Sequence, residues 1–512
     1  MGADEIPKIK VAGPPHSVFD ADLLGCLASD LFPRFLERQR WFGAKSRNTV
    51  EIQVADMITL ALEPVPLVVV LLQVRFSEGP EETYQLVLGV RDVPDEAAAE
   101  ETVARLVCQE TEALLYDALS DPSACRLMLE LIAAQTDVAG YTGRILMRRT
   151  ACLRAEPFAL SSIQPLDLEQ SNSSVLFGES LFLKVFRKIE FGLNPDLELN
   201  LFLTREAGFQ RVPELCGAIT YIGPDTSATL AFVQEYIPSE GSGWDEALKA
   251  VKEYLDDPGR EKLYAFEKSA HEIGLMLGEL HLALASEGQD PAFSPEPVTA
   301  SDVAQWRATV LERLEQARSS HQEHEENIVR IQAKIEAAFD ALGSSESLGL
   351  KMRYHGDYHL NQVLRTPKGW IMLDFEGEPN RPLEERRRKH TPLRDVAVML
   401  GSFNYAAYTA LSERARPGGD QWKRQQSRVN EWEAMARQAF LQGYVRAMGD
   451  SRILPDRAEI RRKILKIFEL DRIVCEINYD LDNRPEWAEI SLQRIEPVLN
   501  QDRAEADGKG AG

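Results

Sequence analysis

The sequence has no long apolar run, few cysteines and too little positive charge to balance its acids. No stretch approaches the roughly 20 apolar residues that a membrane helix needs. The opening segment MGADEIPKIKVAGPP also lacks the continuous apolar core of a signal peptide. We therefore predict a cytoplasmic protein that has no membrane partner.

The six cysteines form no CxxC pair and follow no regular spacing. This scatter argues against a zinc ribbon, a redox pair or a disulfide framework, so we expect isolated buried thiols. The formal net charge of -23 repels a polyphosphate backbone, which argues against a nucleic-acid partner. The basic run from Arg386 to Lys389 is too short to override that total.

Apolar residues recur at helical spacing from about Val18 to Trp41, with Pro33 as a kink or restart. Between Val50 and Val93, three apolar runs are separated by polar, Pro-bearing or Gly-bearing turns, which is typical of an antiparallel meander. We assign residues 1–100 to a separate N-terminal cap module.

Residues 101–240 are predicted to form an intermediate region and a nucleotide-binding N-lobe, mainly helical from about Glu96 to Ala139 and then rich in strands. Residues 241–505 are predicted to form a helical C-lobe, including a long polar helix from Ser301 to Ala341 with Ser301 as its N-cap. Residues 506–512 resemble a disordered tail. The prediction is an α+β, bilobal, protein-kinase-like fold with an N-terminal cap.

The segment LKMRYHGDYHLNQVLRTPKGWIMLDFEGEP predicts a loop and a short hairpin that separates two acidic residues. Phosphoryl transfer needs a carboxylate for the attacking hydroxyl, metal ligands and a lysine for the phosphates. Asp357 is the candidate base, Gln362 and Asp374 are candidate Mg²⁺ ligands, and Glu376 is placed to assist through water. Each of these short motifs is common by itself. The prediction depends on their order and on their separation in the sequence.

The catalytic-loop segment also contains two histidines. His355 is predicted to brace the loop backbone, and His359 is a candidate contact for the substrate. Together they suggest a zinc site, but no HExxH pattern or nearby cysteine completes one. We therefore reject zinc in favour of Mg²⁺.

Lys184 in LFLKVFRK is predicted to hold the phosphates of ATP. The preceding QSNSSVLFGES, with Ser173 and Ser174, has the residues of a phosphate-covering turn but matches neither GxxxxGK[ST] nor GxGxxG. Glu198 is the preferred carboxylate partner of Lys184, with Asp196 as the open alternative. The adenine-binding hinge is predicted at Gln234, Glu235, Tyr236 and Ile237.

Six ordered blocks of the sequence resemble the maltokinase family: EQSNSSVLFGESLFLKVFR, NPDLELNLFL, HGDYHLNQVLR, GWIMLDFEGEP, PLRDVAVMLGSFNYAA and DLDNRPEW. RQRWFGAKSR is similar to the opening of maltokinases. The resemblance implies conversion of maltose and ATP to maltose 1-phosphate and ADP for bacterial α-glucan synthesis. It gives Lys184, Asp357, Gln362 and Asp374 the roles already stated, and Arg394 and Asp395 are predicted to support the catalytic loop.

The sugar-facing helix of the family corresponds to FELDRIVCEINYDLDNRPEW. Arg472, Glu476 and Tyr479 lie at helical spacing on one face of it and are predicted to bind the sugar, the alternative being a surface ion-pair face. Cys475 stands where maltokinases commonly carry an aromatic residue, which puts the identity of the acceptor in doubt. Asn361, where relatives often have a small residue, is a smaller departure.

Two other functions compete with a maltose kinase. One is a kinase for another sugar, glucosamine above all, since relatives of this architecture phosphorylate it. The other is a catalytically silent module that binds trehalose synthase. Intact Lys184, Asp357, Gln362 and Asp374 speak against a silent module.

Overall fold

The computed structural model describes most of the chain, as two compact units. Unit 1 comprises Met1–Leu201 and Pro213–Pro238, and unit 2 comprises Phe202–Val212 and Ser239–Gly512. The described residues are 6–93, 100–108, 111–153, 162–166, 171–286, 290–320, 325–342, 347–379, 381–483 and 498. The predicted disordered tail, residues 506–512, and the end of the DLDNRPEW block lie outside them.

The first sheet of unit 1 follows the apolar runs of the N-terminal region. Its strands are β1 (Lys8–Val11), β2 (Thr49–Ala61), β3 (Leu67–Phe76), β4 (Glu82–Asp92), β5 (Thr102–Cys108) and β6 (Thr111–Asp117), in the order β1-β5-β6-β4-β3-β2. The antiparallel pairs β2–β3 and β3–β4 confirm the predicted meander. Helix α1 (Ala21–Arg38) begins with Asp20 as its N-cap, continues through Pro33 and buries Phe32 and Phe35.

The helical prediction from Glu96 to Ala139 is wrong over β5 and β6. The two runs TVARLVC and TEALLYD are only seven residues long, a length at which apolar periodicity does not separate strand from helix. Pairing decides the outcome, because β5 lies parallel to β1 and β6 lies antiparallel to β4. Within the described part of this range, α2 (Pro122–Ala133) is the α-helix, with Asp121 as its N-cap.

The second sheet of unit 1 has the order β7-β8-β13-β14-β11-β10-β9. These strands are β7 (Asp137–Ala139), β8 (Arg144–Arg149), β9 (Ile163–Leu166), β10 (Asn172–Phe177), β11 (Leu181–Phe186), β13 (Leu215–Ile222) and β14 (Ser227–Glu235). The two-residue strand β12 (Lys188–Ile189) leaves this region to pair with β4, and helix α3 (Pro195–Leu201) follows it. A disulfide joins Cys152 to Cys216, so the expectation of isolated thiols is wrong for this pair.

Unit 2 is mainly helical, as predicted. Its helices are α4 (Gly243–Asp256), α5 (Arg260–Leu263), α6 (Glu267–Leu284), α7 (Ala300–Ser320), α8 (Glu325–Asp340), α9 (Leu383–Arg386), α10 (Leu393–Ser412), α11 (Asp420–Met448) and α12 (Ala458–Asn483). Its short strands are β15 (Gly241–Ser242), β16 (Glu296–Pro297), β17 (Leu350–Lys351), β18 (Val363–Thr366) and β19 (Gly369–Met372). The antiparallel pair β18–β19 confirms the predicted hairpin.

The polar helix predicted from Ser301 to Ala341 is assigned as α7 and α8, on either side of residues outside the described range. Its N-cap is Thr299 rather than Ser301. The Thr299 hydroxyl accepts from the Asp302 N–H at 3.2 Å, and the Asp302 carboxylate accepts from the Thr299 N–H at 2.8 Å. This reciprocal pair is a capping box, which leaves Ser301 inside the helix.

Helices α6 and α11 of unit 2 pack closely, and glycines on both helices permit the contact. A Cβ added at Gly274 would lie 2.0 Å from the Phe440 carbonyl oxygen, and one at Gly443 would lie 2.0 Å from the His271 carbonyl oxygen. These helices therefore approach backbone to backbone. Among the described residues, no helix combines the length and the apolarity of a membrane span.

Candidate functional site

Lys184 occupies a buried position in the middle of β11. It lies opposite Ser174 of β10 in the antiparallel register, and its Nζ is 3.5 Å from Asp196 Oδ2 of α3. Lys184 is 4% exposed and Asp196 is 2% exposed, so this is a buried ion pair rather than a solvated surface contact. The arrangement directs a fixed ammonium from the strand towards the helix.

The sequence prediction preferred Glu198 to Asp196 as the partner of Lys184. The structure shows the contact with Asp196, the residue that was kept as the alternative. Asn200 also holds Asp196, because its Nδ2 donates to Asp196 Oδ1 at 2.8 Å. Glu198 is buried on the same helix, so α3 carries two buried acids.

Several groups of the predicted phosphate turn and of the predicted hinge already form hydrogen bonds within unit 1. The Ser173 hydroxyl accepts from Arg187 Nε at 2.7 Å, and the Ser174 hydroxyl is buried. At the predicted hinge, Glu235 N donates to Glu214 O at 2.9 Å and Tyr236 N donates to Ser180 O at 2.8 Å. The backbone amides of Glu235 and Tyr236 are therefore already bonded, and Gln234 lies within the sheet in register with Phe182 and Leu215. Contact of the predicted hinge with adenine stays a prediction.

The backbone of the HGD loop in unit 2 is bound by a buried carboxylate of α10. Asp395 Oδ2 accepts from His355 N at 2.8 Å, and Asp395 Oδ1 accepts from Gly356 N at 2.9 Å. Gly356 has φ +90, and a Cβ there would lie 3.0 Å from Gly377 Cα. The loop before Asp357 therefore requires both glycine and the distant aspartate.

His281 of α6 extends this network. Its Nε2 lies 3.1 Å from Asp395 Oδ2, and its Nδ1 lies 3.0 Å from the Tyr444 hydroxyl of α11. Burial alone would raise the pKa of Asp395, but the hydrogen bond from His281 and nearby charges hold it below its ordinary value. Asp395 is therefore an ionised acceptor at neutral pH.

His355 contacts the loop and the segment beyond β19. Its Nε2 lies 3.0 Å from Leu373 O, and Asp357 N lies 3.4 Å from its Nδ1. Burial lowers the pKa of His355, which favours the neutral ring. These contacts define one tautomer, with Nε2–H as donor and Nδ1 as acceptor. His355 therefore contacts backbone groups of the loop and of the segment after β19.

Asp357 itself is the partly exposed acid of the loop. Its side chain is 19% exposed, and its Oδ2 lies 3.6 Å from His359 Nε2. Asp357 thus combines access from solvent with a backbone fixed on its N-terminal side. This is the combination required of a carboxylate that orients an incoming hydroxyl.

Gln362 and Asp374 are brought together by the hairpin. Leu373 N donates to Gln362 O at 2.9 Å, and Gln362 Nε2 donates to Asp374 Oδ2 at 3.1 Å. Asp374 has φ +61, a left-handed conformation that is uncommon outside glycine. The pair carries amide and carboxylate oxygens, which are the ligands that Mg²⁺ prefers, so the donor set fits that ion.

Glu376 follows Asp374 in the next turn. Arg386 Nη1 donates to the Glu376 carbonyl at 3.0 Å, which fixes the backbone of this acid. Arg394, predicted to support the loop together with Asp395, pairs with Glu378, its Nη2 lying 3.1 Å from Glu378 Oε1. Its guanidinium carbon also lies 6.0 Å from the centre of the Tyr354 ring, just before the HGD loop. Support of the loop by Arg394 stays a prediction.

The α12 face carries the predicted sugar-binding residues. Arg472 Nε donates to Glu476 Oε1 at 3.1 Å, and Tyr479 is 54% exposed. Burial alone would lower the pKa of Arg472, but Glu476 and then Asp357 raise it above its ordinary value. Arg472 therefore stays charged beside Glu476.

Arg313 of α7 was not singled out in the sequence and binds the same helix. Its Nη1 contacts Asp471 and lies 3.2 Å from Cys475 Sγ. Burial raises the pKa of the Cys475 thiol to about 12, so this cysteine is a neutral packing group rather than a nucleophile. His281 and Arg313 were both missed, and only the isolated histidine on an apolar helix gave a signal.

Residues 35–121 match the maltokinase N-terminal cap domain family. This match covers the end of α1 and most of the first sheet of unit 1. It supports the cap module that the sequence predicted.

The chain is 26% identical to a glucosamine kinase of Mycolicibacterium smegmatis (strain ATCC 700084 / mc(2)155) over 345 residues, which are 66% of this chain and 80% of that protein. One solved glucosamine kinase structure (crystal form B) has a TM-score of 0.66 at 19% identity and covers 94% of this chain and 99% of its own. Another, in complex with glucosamine, ADP and inorganic phosphate, has a TM-score of 0.62 at 20% identity and covers 88% and 94%.

These likenesses confirm the predicted fold class. The chain has a mixed α+β, protein-kinase-like fold with an N-terminal cap, a β-rich part and a helical part. In this chain, β11 carries Lys184 and the loop before β18 carries Asp357.

Proposed function

We propose that this protein is an ATP-dependent sugar kinase whose acceptor is maltose and whose products are maltose 1-phosphate and ADP. The observation that carries the kinase assignment is the loop of Asp357, whose backbone is bound by Asp395 and which leads directly to the Gln362–Asp374 pair. Similarity to glucosamine kinases supports a sugar as the acceptor class. The product would supply α-glucan synthesis.

In this reaction, Asp357 accepts the proton of the anomeric hydroxyl as that oxygen attacks the γ-phosphorus of ATP, and the bond from this phosphorus to the bridging β-phosphate oxygen breaks to release ADP. Lys184 compensates charge on the phosphates, and the hinge residues hold adenine. Gln362 and Asp374 would hold Mg²⁺, with Glu376 assisting through water, and the bound ion would neutralise phosphate charge. His355 stays neutral and keeps the loop backbone in place.

The charges near α12 favour a neutral acceptor over an amino sugar. Three acidic side chains there each pair with an arginine: Glu378 with Arg394, Asp471 with Arg313, and Glu476 with Arg472. An ammonium group on the sugar would compete with these arginines for the same carboxylates. Maltose carries no charge, and its hydroxyls match mixed donors and acceptors of this kind.

Glucosamine is the second candidate acceptor. It is favoured by a specific observation, since the named relative that spans 66% of this chain is a glucosamine kinase. The maltokinase cap match over residues 35–121 favours maltose. The two acceptors are therefore compared directly.

The purified full-length protein is incubated with ATP, Mg²⁺ and one of maltose, glucosamine, glucose or no sugar, and ADP release is followed. We expect maltose to give the highest kcat/KM, with loss of the reducing end of the product as evidence for anomeric phosphorylation. Asp357→Asn should lower kcat on the order of 10²–10⁴-fold. Asp450→Asn, at an exposed aspartate of the same unit, is the matched control and should leave kcat unchanged.

Higher kcat/KM with glucosamine would contradict maltose as the acceptor and keep the kinase assignment. If no sugar stimulates ADP release and Asp357→Asn changes nothing, the kinase proposal is wrong. Tight binding of trehalose synthase by an inactive protein would then support the silent-module alternative.

A further inference from the structure

Arg187 is a buried cation that the proposed chemistry does not use. It directly follows β11, three residues after Lys184, and is 3% exposed. A buried guanidinium is unfavourable unless charged and hydrogen-bonding partners surround it. The identity of those partners therefore indicates what Arg187 does.

Arg187 contacts three separate segments of unit 1. Its Nη2 lies 2.5 Å from Asp117 Oδ2 at the end of β6, and its Nε donates to Ser173 Oγ at 2.7 Å. Its guanidinium carbon lies 4.7 Å from the centre of the Trp41 ring, in the RWFGAK stretch after α1. Trp41 and Asp117 both belong to the region that matches the cap family, whereas Ser173 belongs to β10.

The backbone at Arg187 reinforces the same connection. The Arg187 carbonyl accepts from Gln85 N of β4 at 2.7 Å, and the next two residues form β12, which pairs with β4. The strand that carries Lys184 thus leads directly into the cap sheet. The side chain and the main chain of Arg187 both connect the two sheets of unit 1.

Ser173 is the point at which this connection reaches the nucleotide-binding strands. It lies opposite Val185, and its neighbour Ser174 lies opposite Lys184. Successive side chains of a strand point to opposite faces of the sheet, so Ser174 shares the face of Lys184, and Ser173 lies on the other face with Val185. Because Arg187 Nε donates to Ser173 Oγ, Arg187 fixes the start of β10 from the face opposite Lys184. It thereby holds the strand that places Ser174 beside Lys184.

We propose that Arg187 is a positioning residue that couples the cap sheet to the phosphate-binding strands and so sets the affinity for ATP. This inference rests on the proposed use of ATP by Lys184 and its neighbours. The guanidinium does not touch the nucleotide. It acts by holding Ser173 and so the register of β10 against β11. Asp117 and Trp41 hold its guanidinium on the cap side.

The test uses the full-length protein and measures binding and kinetics separately. The dissociation constant for Mg-ATP is measured by calorimetry without sugar, and kcat and both KM values are measured in the ADP-release assay. Arg187→Met should raise the ATP dissociation constant on the order of tenfold and leave KM for sugar unchanged. Arg187→Lys should recover only part of the affinity, because an ammonium cannot reach Asp117 and Ser173 as a planar fork.

Ser173→Ala tests the same connection without removing a buried charge, so it remains informative if Arg187→Met does not fold. It should raise the ATP dissociation constant in the same direction by a smaller factor. The matched control is Arg148→Met, which removes an exposed arginine on β8 that pairs with Asp137. This control should bind ATP like the unchanged protein.

Two results would overturn the inference. One is a lower melting temperature for Arg187→Met together with an unchanged ATP dissociation constant, since that outcome describes a purely structural ion pair. The other is an equal loss of affinity in Arg148→Met. If the unchanged protein binds Mg-ATP but phosphorylates no sugar, the proposed function is wrong, and the binding data alone decide whether Arg187 couples the two sheets. If the unchanged protein does not bind Mg-ATP, both proposals are wrong.

Discussion

Two buried aspartates, one in each unit, both accept hydrogen bonds from the backbone N–H groups of a turn, but the two turns differ in what they carry. Asp56 of β2 accepts backbone N–H groups from Tyr141 at 2.9 Å, Thr142 at 3.1 Å and Gly143 at 2.7 Å, and a hydroxyl from Tyr221 at 2.9 Å. In unit 2, Asp395 accepts the backbone N–H groups of two residues of the catalytic loop and contacts His281. Each carboxylate fixes a turn that is far away in the sequence.

The difference lies in what each turn carries. The turn held by Asp56 connects β7 to β8 and bears none of the proposed site residues. The turn held by Asp395 leads directly into Asp357. A buried carboxylate that accepts hydrogen bonds from several backbone N–H groups therefore stabilises a turn in either unit. It contributes to catalysis only where that turn carries a reactive group.

Asp395→Asn should produce the largest change. The amide group would face one of the loop N–H groups or His281, so a buried network loses one acceptor and gains an unpaired donor. We expect unfolding free energy to fall by about 3–5 kcal/mol and kcat to fall at least on the order of 10²-fold through displacement of Asp357.

Denaturant unfolding and single-turnover kinetics measure these two effects of Asp395→Asn separately. The matched control is Asp450→Asn, at an exposed aspartate of the same unit, which should change neither the unfolding free energy nor kcat. Unchanged kcat in a folded variant would contradict the role assigned to Asp395.

The fold was predictable from the sequence where successive apolar runs are long or where a turn has its own local sequence signal. Three successive apolar runs identify β2 to β4, and a Pro-Lys-Gly turn identifies the β18–β19 hairpin. Short runs such as those of β5 and β6 are decided by which strand they meet. β5 pairs with β1, which is remote in the sequence, and β6 pairs with β4. The apolar periodicity of a short run does not say which strand it will pair with.

The candidate site was predictable to a similar degree. The order of Asp357, Gln362 and Asp374 follows from one continuous segment, and the structure pairs Gln362 with Asp374. By contrast, Asp56, Arg187 and His281 are single polar residues within apolar patterns, and each has a partner 70 to 165 residues away. An isolated histidine on an apolar helix draws attention to His281, but no local pattern identifies these distant partners, because the role of a buried polar group depends on its tertiary contacts.

Asp56→Asn should give an intermediate effect that is confined to stability. The amide group would face Gly143 N–H or the other backbone donors, so we expect a loss of about 1.5–3 kcal/mol in unfolding free energy. Neither kcat nor the ATP dissociation constant should change, since the affected turn bears no proposed site residue. A fall in kcat comparable to that of Asp395→Asn would remove the contrast between the two aspartates.

The stabilisation by Asp56 should also depend on pH. Burial alone would raise the pKa of Asp56, but hydrogen bonds from Thr142, Tyr221 and Gly143 lower it below its ordinary value. A carboxyl whose pKa is depressed by folding stabilises the protein above its unfolded pKa, about 3.9, and that contribution is lost as the pH falls through the folded value. The difference between Asp56→Asn and the unchanged protein should therefore be full at pH 7 and shrink below about pH 4.

The exposed pair of Arg307 and Asp340 should have the smallest effect. The two side chains lie 2.8 Å apart, but they are 39% and 67% exposed. Because water screens both charges and the long side chains lose entropy on pairing, a double-mutant cycle of Arg307→Met and Asp340→Asn should give a coupling below about 0.5 kcal/mol, falling further in salt. A coupling as large as that between Asp395 and His281 would mean that contact distance rather than burial determines what an aspartate contributes in this protein.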